Sequence, residues 1–111
     1  MTLDQYIDNI NKRYTLGNAT EHTFRGDLQQ LFEVLLPGIK ATNEPKRQAC
    51  GAPDYILTKR DIPIAFVEAK DVGADLKNKS YQEQFDRYKK SLNNLIITDY
   101  LTFHFFKEGS M

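Results

Sequence analysis

Two acidic residues and one lysine stand at the ends of neighbouring hydrophobic segments of this sequence. Asp54 comes directly before the apolar run 55–57, and Glu68 and Lys70 come directly after the apolar run 64–67. Because side chains alternate along a strand, Glu68 and Lys70 are expected on one face. Two carboxylates and an amine in one place are suited to binding a divalent cation and to hydrolysing a phosphodiester.

The two segments have the form of a β-hairpin whose register decides whether these residues meet. A turn centred on Asp61 places Asp54 opposite Glu68, and opposed residues share a face with Cβ atoms about 4.5–5.5 Å apart. The other pairs expected in this register are Ile56 with Phe66 and Thr58 with Ile64. A slip of one residue would send Asp54 to the other face of the sheet.

A divalent cation would relieve the repulsion between these two carboxylates. Mg²⁺ is commonly held by one or two carboxylates together with phosphate and water oxygens, and Mn²⁺ accepts the same ligands. Lys70 would then position the attacking water or stabilise charge on the phosphate. The alternative is that Glu68 and Lys70 form the solvated rim of a sheet and that Asp54 is an ordinary turn residue.

Hydrophobic periodicity predicts the elements that would carry these residues. A capping box, Thr2 with Gln5, starts a helix over residues 3–14, and a second helix runs from Thr20 or Thr23 to the Pro37-Gly38 stop. The third helix is predicted over 75–92, and the strands over 39–44, 53–58, 62–70, 94–98 and 101–106. The order ααβββαββ predicts an α/β fold, a three-layer sandwich with a central mixed sheet flanked by helices.

Length and charge limit the classes of function. At 111 residues the chain is expected to form one domain, 1–111. Its fifteen basic and fifteen acidic residues cancel, so it lacks the strongly basic balance of an autonomous nucleic-acid binder. A polyanionic partner would have to be held by a local basic surface or by another domain.

Cysteine usage and the absence of targeting patterns predict a cytoplasmic location. Cys50 has no second cysteine with which to form an internal disulfide, as is typical of proteins in a reducing compartment. One cysteine and two histidines, His22 and His104, do not make a four-ligand zinc site, and both histidines are interpreted as structural. The sequence shows neither a signal peptide nor an apolar run long enough for a membrane span.

Short motifs resemble those of the PD-(D/E)xK nuclease superfamily. Pro53-Asp54, a hydrophobic strand and then Glu68-Ala69-Lys70 resemble its signature. The segment from Gln84 to Tyr88 resembles the QxxxY motif of the RecB and lambda-exonuclease branch. Glu33, on the helix before the sheet, matches an auxiliary acidic residue of that fold.

Longer segments resemble the N-terminal nuclease domain of single-chain restriction-modification enzymes of the type IIG and type ISP kind. These segments are TEHTFR (20–25), NEPKR (43–47), GAPDYIL (51–57), FVEAKD (66–71), QFDRY (84–88) and LIITDYLTF (95–103). Such enzymes also carry a methyltransferase and a target-recognition region. The chain has no glycine-rich cofactor loop and no Asn-Pro-Pro-Tyr motif, so we expect a domain excised or truncated from a larger protein.

The resemblance implies roles for particular residues. Asp54 and Glu68 would bind Mg²⁺, or Mn²⁺, together with the backbone carbonyl of Ala69. Lys70 would orient or activate the attacking water. Glu33 would reach the same cluster through water or a second metal ion, although a solvated helix position explains it as well.

The QxxxY residues lie one helical turn apart and therefore share a face. Gln84 would reach the metal cluster and is counted with the catalytic residues, or it is only a boundary residue of the helix. Tyr88 is interpreted as structural, within the core. Arg87 would contact phosphate, but an i, i+4 pair with Glu83 explains it equally well.

DNA is the expected partner, and basic residues in loops or at a helix start near the proposed site are the expected phosphate contacts. These candidates are Lys46, Arg47, Lys77 and Lys79. Cleavage of both strands requires two active sites or sequential nicking, so a homodimer is a further expectation. Two other functions stay open: a catalytically silent DNA-binding or interaction domain of the same fold, and a stand-alone exonuclease of the QxxxY branch.

Overall fold

The computed structural model describes residues 2–16, 21–43, 53–72 and 74–110. In these residues the helices are α1 (Leu3–Leu16), α2 (Glu21–Leu35) and α3 (Lys79–Ser91). The strands are β1 (Ile39–Asn43), β2 (Tyr55–Lys59), β3 (Ile62–Ala69), β4 (Asn94–Thr98) and β5 (Phe103–Lys107). Along the chain, α1 and α2 come before β1, and α3 lies between β3 and β4.

The described strands form a mixed sheet in the spatial order β1-β2-β3-β4-β5. Only β3 and β4 pair in parallel, because α3 provides the crossover between them, and the other neighbours are antiparallel. One core cluster joins α1 and α2 to the sheet face carrying Tyr55, Val67 and Ile96. A second cluster joins α3 to the opposite face, with Leu95 and Ile97. The predicted three-layer α/β sandwich is confirmed.

The register of the β2–β3 hairpin brings Asp54 to the face of Glu68. The predicted pair of Ile56 with Phe66 is confirmed, and extending this register past the pair of Tyr55 with Val67 places Asp54 opposite Glu68. The predicted pair of Thr58 with Ile64 is wrong, because Thr58 pairs with Pro63.

A β-bulge at Ile64 explains this difference. The loop holds two residues, Arg60 and Asp61, both with positive φ (51° and 65°), as two-residue hairpin loops favour. That loop alone would set a register one residue away from the predicted one. Ile64 stands unpaired with β2, which restores the register, and its carbonyl accepts a hydrogen bond from the Asn94 amide at 2.9 Å. Without the bulge, Asp54 would lie opposite Val67 and face the other side of the sheet.

The predicted start of α1 is confirmed in atomic detail. The Thr2 hydroxyl accepts from the Gln5 amide at 3.1 Å, and the Gln5 side chain accepts from the Thr2 amide at 2.8 Å. This reciprocal pair is a capping box. At the other end the helix continues two residues further than predicted, to Leu16.

Side-chain turns shift two other boundaries. The predicted start of α3 at residue 75 is wrong because Asn78 caps the helix, accepting from the Ser80 amide at 2.9 Å. The predicted start of β5 at residue 101 is wrong because Asp99 accepts from the amides of Leu101 and Thr102 at 3.1 and 2.6 Å and holds them in a turn. Among the described residues, no helix is long and apolar enough to cross a lipid bilayer.

Candidate active site

Asp54, Glu68 and Lys70 lie together at the carboxyl end of β3. Asp54 comes one residue before β2, Glu68 is the penultimate residue of β3, and Lys70 comes directly after that strand. The Lys70 amide donates to the Thr98 carbonyl at 2.8 Å, which holds the residue beside the end of β4. The hairpin register and this parallel ladder therefore place the three side chains that the sequence predicted to meet.

Both carboxylate oxygens of Asp54 accept hydrogen bonds. Oδ2 accepts from the amide of Ala69 at 2.8 Å, and Oδ1 accepts from Nη2 of Arg25 at 2.7 Å. The Arg25 side chain is 10% exposed and the Asp54 side chain 14%. Asp54 is therefore fixed from β3 on one side and from α2 on the other, with Ala69 close enough for its peptide to share the site.

Arg25 is a member of the cluster that no sequence pattern indicated. The residue is buried on α2 beside Phe24, although arginine is rarely buried without a specific partner. It lies inside the segment TEHTFR, which the resemblance to restriction-modification enzymes had singled out. That segment was the available indication, but the partner of Arg25 is 29 residues away and follows only from the tertiary fold.

Glu68 is a buried carboxylate with one unsatisfied oxygen. The residue is 5% exposed, and Oε2 lies 3.2 Å from Nζ of Lys70. Oε1 is buried and has no hydrogen-bond partner among the described residues. Burial, and then the charge of Asp54, raise the pKa of Glu68 to about 7, against the opposing effect of Lys70. A carboxylate in this state is suited to a cation that would complete its coordination.

Lys70 is held in place by Gln84, the first of the two QxxxY residues. Its Nζ donates to Oε1 of Gln84 at 2.6 Å, and the ammonium lies 5.0 Å from the centroid of the Tyr81 ring. The amide of Gln84 lies 3.5 Å from the hydroxyl of Tyr88, a long and weak contact. Gln84 therefore contacts the cluster through Lys70, and Tyr88 lies behind it in the core at 1% exposure.

Glu33 contacts the edge strand β1. Its Oε2 accepts from the amide of Ala41 at 3.1 Å, and Gln29 donates to the carbonyl of the same residue at 2.8 Å. The two side chains lie one turn apart on α2 and bind the backbone amide and the backbone carbonyl of the same residue at the sheet edge. The contact seen for Glu33 is thus with backbone, whereas its role near the metal stays a prediction.

The structure describes three of the five residues that are predicted to contact phosphate. Arg87 pairs with Glu83 at 2.9 Å on the surface of α3, the alternative that its spacing had left open. Lys77 and Lys79 are exposed just before and at the start of α3. Lys46, Arg47 and Cys50, and the side chain of His22, lie outside the described residues.

The donor set fits a hard divalent cation. Asp54 and Glu68 supply carboxylate oxygens, and the unsatisfied Oε1 of Glu68 is an acceptor that a metal ion would satisfy. Within residues 2–16, 21–43, 53–72 and 74–110, no group of three or more His, Cys, Asp or Glu side chains comes together. The remaining ligands would therefore come from the Ala69 carbonyl, water and substrate phosphate.

Glu68→Gln is expected to stabilise the metal-free protein more at pH 8 than at pH 5. The pKa of Glu68 is about 7 in the folded protein and 4.5 ordinarily, so the contribution of Glu68 to stability falls as pH rises between these values and levels off above them. The increase in the free energy of unfolding caused by Glu68→Gln should therefore be larger at pH 8 than at pH 5 by roughly 2 kcal/mol. Urea unfolding in EDTA at both pH values measures it.

Glu83→Gln is the matched control, because this glutamate is 78% exposed on α3. Its effect on the free energy of unfolding should be the same at pH 5 and pH 8. If Glu68→Gln also had the same effect at both pH values, burial would not control the protonation of Glu68.

Glu33→Gln and Glu33→Ala separate the backbone contact of Glu33 from a role at the metal. Glutamine keeps an acceptor for the buried Ala41 amide, whereas alanine leaves it unsatisfied at a cost of about 1–3 kcal/mol. Urea unfolding should therefore show near-wild-type stability for Glu33→Gln and a loss for Glu33→Ala, with Gln30→Ala on the exposed side of α2 as control. A loss of Mg²⁺ affinity in Glu33→Gln at unchanged stability would instead place Glu33 at the metal.

Comparison with known proteins identifies a similar fold. No protein-family model matches the chain, and no curated protein matches it. Among solved structures, a chain of the DrdV–DNA complex, determined by cryo-electron microscopy, matches with a TM-score of 0.75 and 18% sequence identity. The match covers 96% of this chain and 11% of that chain, so the present chain spans a small part of its structural neighbour. The chain has a nuclease-like fold, the restriction-endonuclease-like α/β sandwich.

Proposed function

We propose that the chain is the metal-dependent endonuclease domain of a restriction-modification protein and hydrolyses phosphodiester bonds in DNA. One observation supports this proposal above the others: Asp54, Glu68 and Lys70 converge at the end of β3, and Glu68 presents a buried oxygen with no hydrogen-bond donor in the described part of the chain. A sheet rim would leave Glu68 in solvent. Here it is 5% exposed and at the centre of a polar cluster.

Each residue of the cluster would have its own role in the proposed hydrolysis. Asp54 and Glu68, with the Ala69 carbonyl, would hold Mg²⁺ or Mn²⁺, which polarises a phosphoryl oxygen and lowers the pKa of a bound water. Lys70 would orient that water for in-line attack on phosphorus and stabilise the negative charge that develops as the bond to the leaving oxygen breaks. Gln84 would keep the ammonium aimed at the reacting phosphate through its 2.6 Å hydrogen bond.

DNA as the partner is supported by the fold and by its neighbour's complex with DNA. Because the net charge of the chain is zero, we propose that further domains supply most of the phosphate contacts. Methyltransferase and target-recognition domains would be those partners, in a larger cytoplasmic protein. A homodimer would provide the second active site needed to cut the second strand.

A catalytically silent DNA-binding domain is the second candidate function. Both oxygens of Asp54 already accept hydrogen bonds, one of them from an arginine, as in a purely structural ion pair. The two candidates differ in what happens when divalent cations and DNA are supplied together.

Asp54→Asn and Lys70→Gln should each lower DNA cleavage by about 100-fold or more, because the first removes a proposed metal ligand and the second removes the positive charge beside the reacting phosphate. The measurement is nicking of supercoiled plasmid by the 111-residue chain in MgCl₂ or MnCl₂. Lys12→Gln, at an exposed lysine of α1 outside the cluster, is the matched control and should keep most of the activity.

Two results would contradict the proposal. Cleavage that persists unchanged in Asp54→Asn and Lys70→Gln would place the activity elsewhere. A wild-type chain that neither nicks DNA nor binds Mn²⁺ in the presence of a DNA duplex would favour the silent domain.

A further inference from the structure

We infer that Arg25 is the built-in counter-ion of Asp54 and opposes metal binding at the site until a phosphate group arrives. This inference rests on the function proposed above and concerns how that site is regulated. Arg25 donates from Nη2 to Oδ1 of Asp54 at 2.7 Å, and both side chains are largely shielded from water. A shielded guanidinium so close to a proposed metal ligand repels any cation that enters the site.

The position of Arg25 is set by the same segment that carries Asp54. The hydroxyl of Tyr55 donates to the Arg25 carbonyl at 2.8 Å, and Tyr55 is fully buried in the core between α2 and the sheet. The backbone of Arg25 is therefore held by residue 55 and its side chain by residue 54. Its positive charge is a fixed part of the site.

Among the described residues, the ionised side chains of the cluster cancel in charge. Asp54 and Glu68 contribute two negative charges, and Arg25 and Lys70 contribute two positive ones within hydrogen-bond or ion-pair distance of them. A divalent cation would therefore enter a site to which the described side chains give no net negative charge, and we expect it to bind weakly. A phosphodiester would supply negative charge beside the metal ion, so metal and substrate would stabilise each other's binding.

An ordinary structural ion pair would behave differently, and the same helix offers one for comparison. Arg13 of α1 pairs with Asp27 of α2 at 2.6 Å. Asp27 is as buried as a site carboxylate, at 5% exposure. This pair joins two helices and has no part in the Asp54–Glu68 cluster, so its loss should affect stability alone.

The test is calorimetric titration of the 111-residue chain with MnCl₂ in the absence of DNA. Arg25→Gln removes the charge and should bind Mn²⁺ at least about tenfold more tightly than the wild type. Arg25→Lys keeps the charge and should stay within about threefold of the wild type, as should Arg13→Gln. Mn²⁺ affinity for Arg25→Gln that is equal to or weaker than wild type would overturn the inference.

A second arm needs no variant of Arg25. Adding a short DNA duplex should raise the Mn²⁺ affinity of the wild-type chain at least about tenfold, with Asp54→Asn/Glu68→Gln and the same duplex as the baseline for Mn²⁺ bound by DNA itself. An affinity unchanged by DNA would overturn the inference even if Arg25→Gln failed to fold.

The two proposals fail in different ways. Wild-type binding that disappears in Asp54→Asn/Glu68→Gln, with no effect of Arg25→Gln, leaves the metal site intact and removes the role of Arg25. Absence of specific Mn²⁺ binding with and without DNA, in the wild type and in both Arg25 variants, removes the metal site itself.

Discussion

The carboxylate of Asp54 connects the parts of the molecule on which the site depends. It accepts one hydrogen bond from the backbone of β3, through Ala69, and one from α2, through Arg25. It also belongs to the segment that leads into β2. Three elements therefore meet on a side chain that is itself a proposed metal ligand. A displacement of α2 or a slip of the hairpin would move Asp54 away from Glu68, so the position of Asp54 depends on all three elements.

This arrangement requires Glu68 to be buried, which costs free energy. A buried carboxylate next to another carboxylate is unfavourable in its ionised form. Lys70 compensates only in part, since the pKa of Glu68 remains raised to about 7. Lys70 is in turn aligned by Gln84 and lies near the Tyr81 ring. The cluster thus combines an unfavourable buried carboxylate with a fixed geometry, and perturbed pKa values of this kind are common at functional sites.

Sequence patterns were sufficient for the elements of the fold and for the meeting of Asp54 with Glu68. Alternation along β2 and β3 carried that prediction, since a half-buried hairpin tolerates few registers. The predicted turn was nonetheless off, and the correct register was reached because the bulge at Ile64 compensates for a two-residue loop. Neither feature has a sequence pattern here, as Arg60-Asp61 is not a typical pair of residues for positive φ.

Local sequence patterns do not encode contacts between distant segments of the chain. Arg25 meets Asp54 only because α2 packs on the sheet, and no local periodicity encodes that meeting. Likewise, Glu33 was matched to an auxiliary acidic residue, but its carboxylate lies against the backbone of Ala41 because β1 is the edge strand beside α2. Helical spacing placed Gln84 and Tyr88 on one face, whereas only the tertiary structure distinguishes the partner of Lys70 from the residue buried behind it.

The central claim, that Asp54 and Glu68 form a divalent-cation site, is tested most directly by anomalous X-ray scattering. Crystals of the chain with a short DNA duplex and MnCl₂ should show a Mn²⁺ peak between the two carboxylates, about 2 Å from an oxygen of each. The Lys70 ammonium should lie beside the nearest phosphate. A Mn²⁺ ion bound only elsewhere, with Arg25 and Ala69 still the partners of Asp54, would contradict the account.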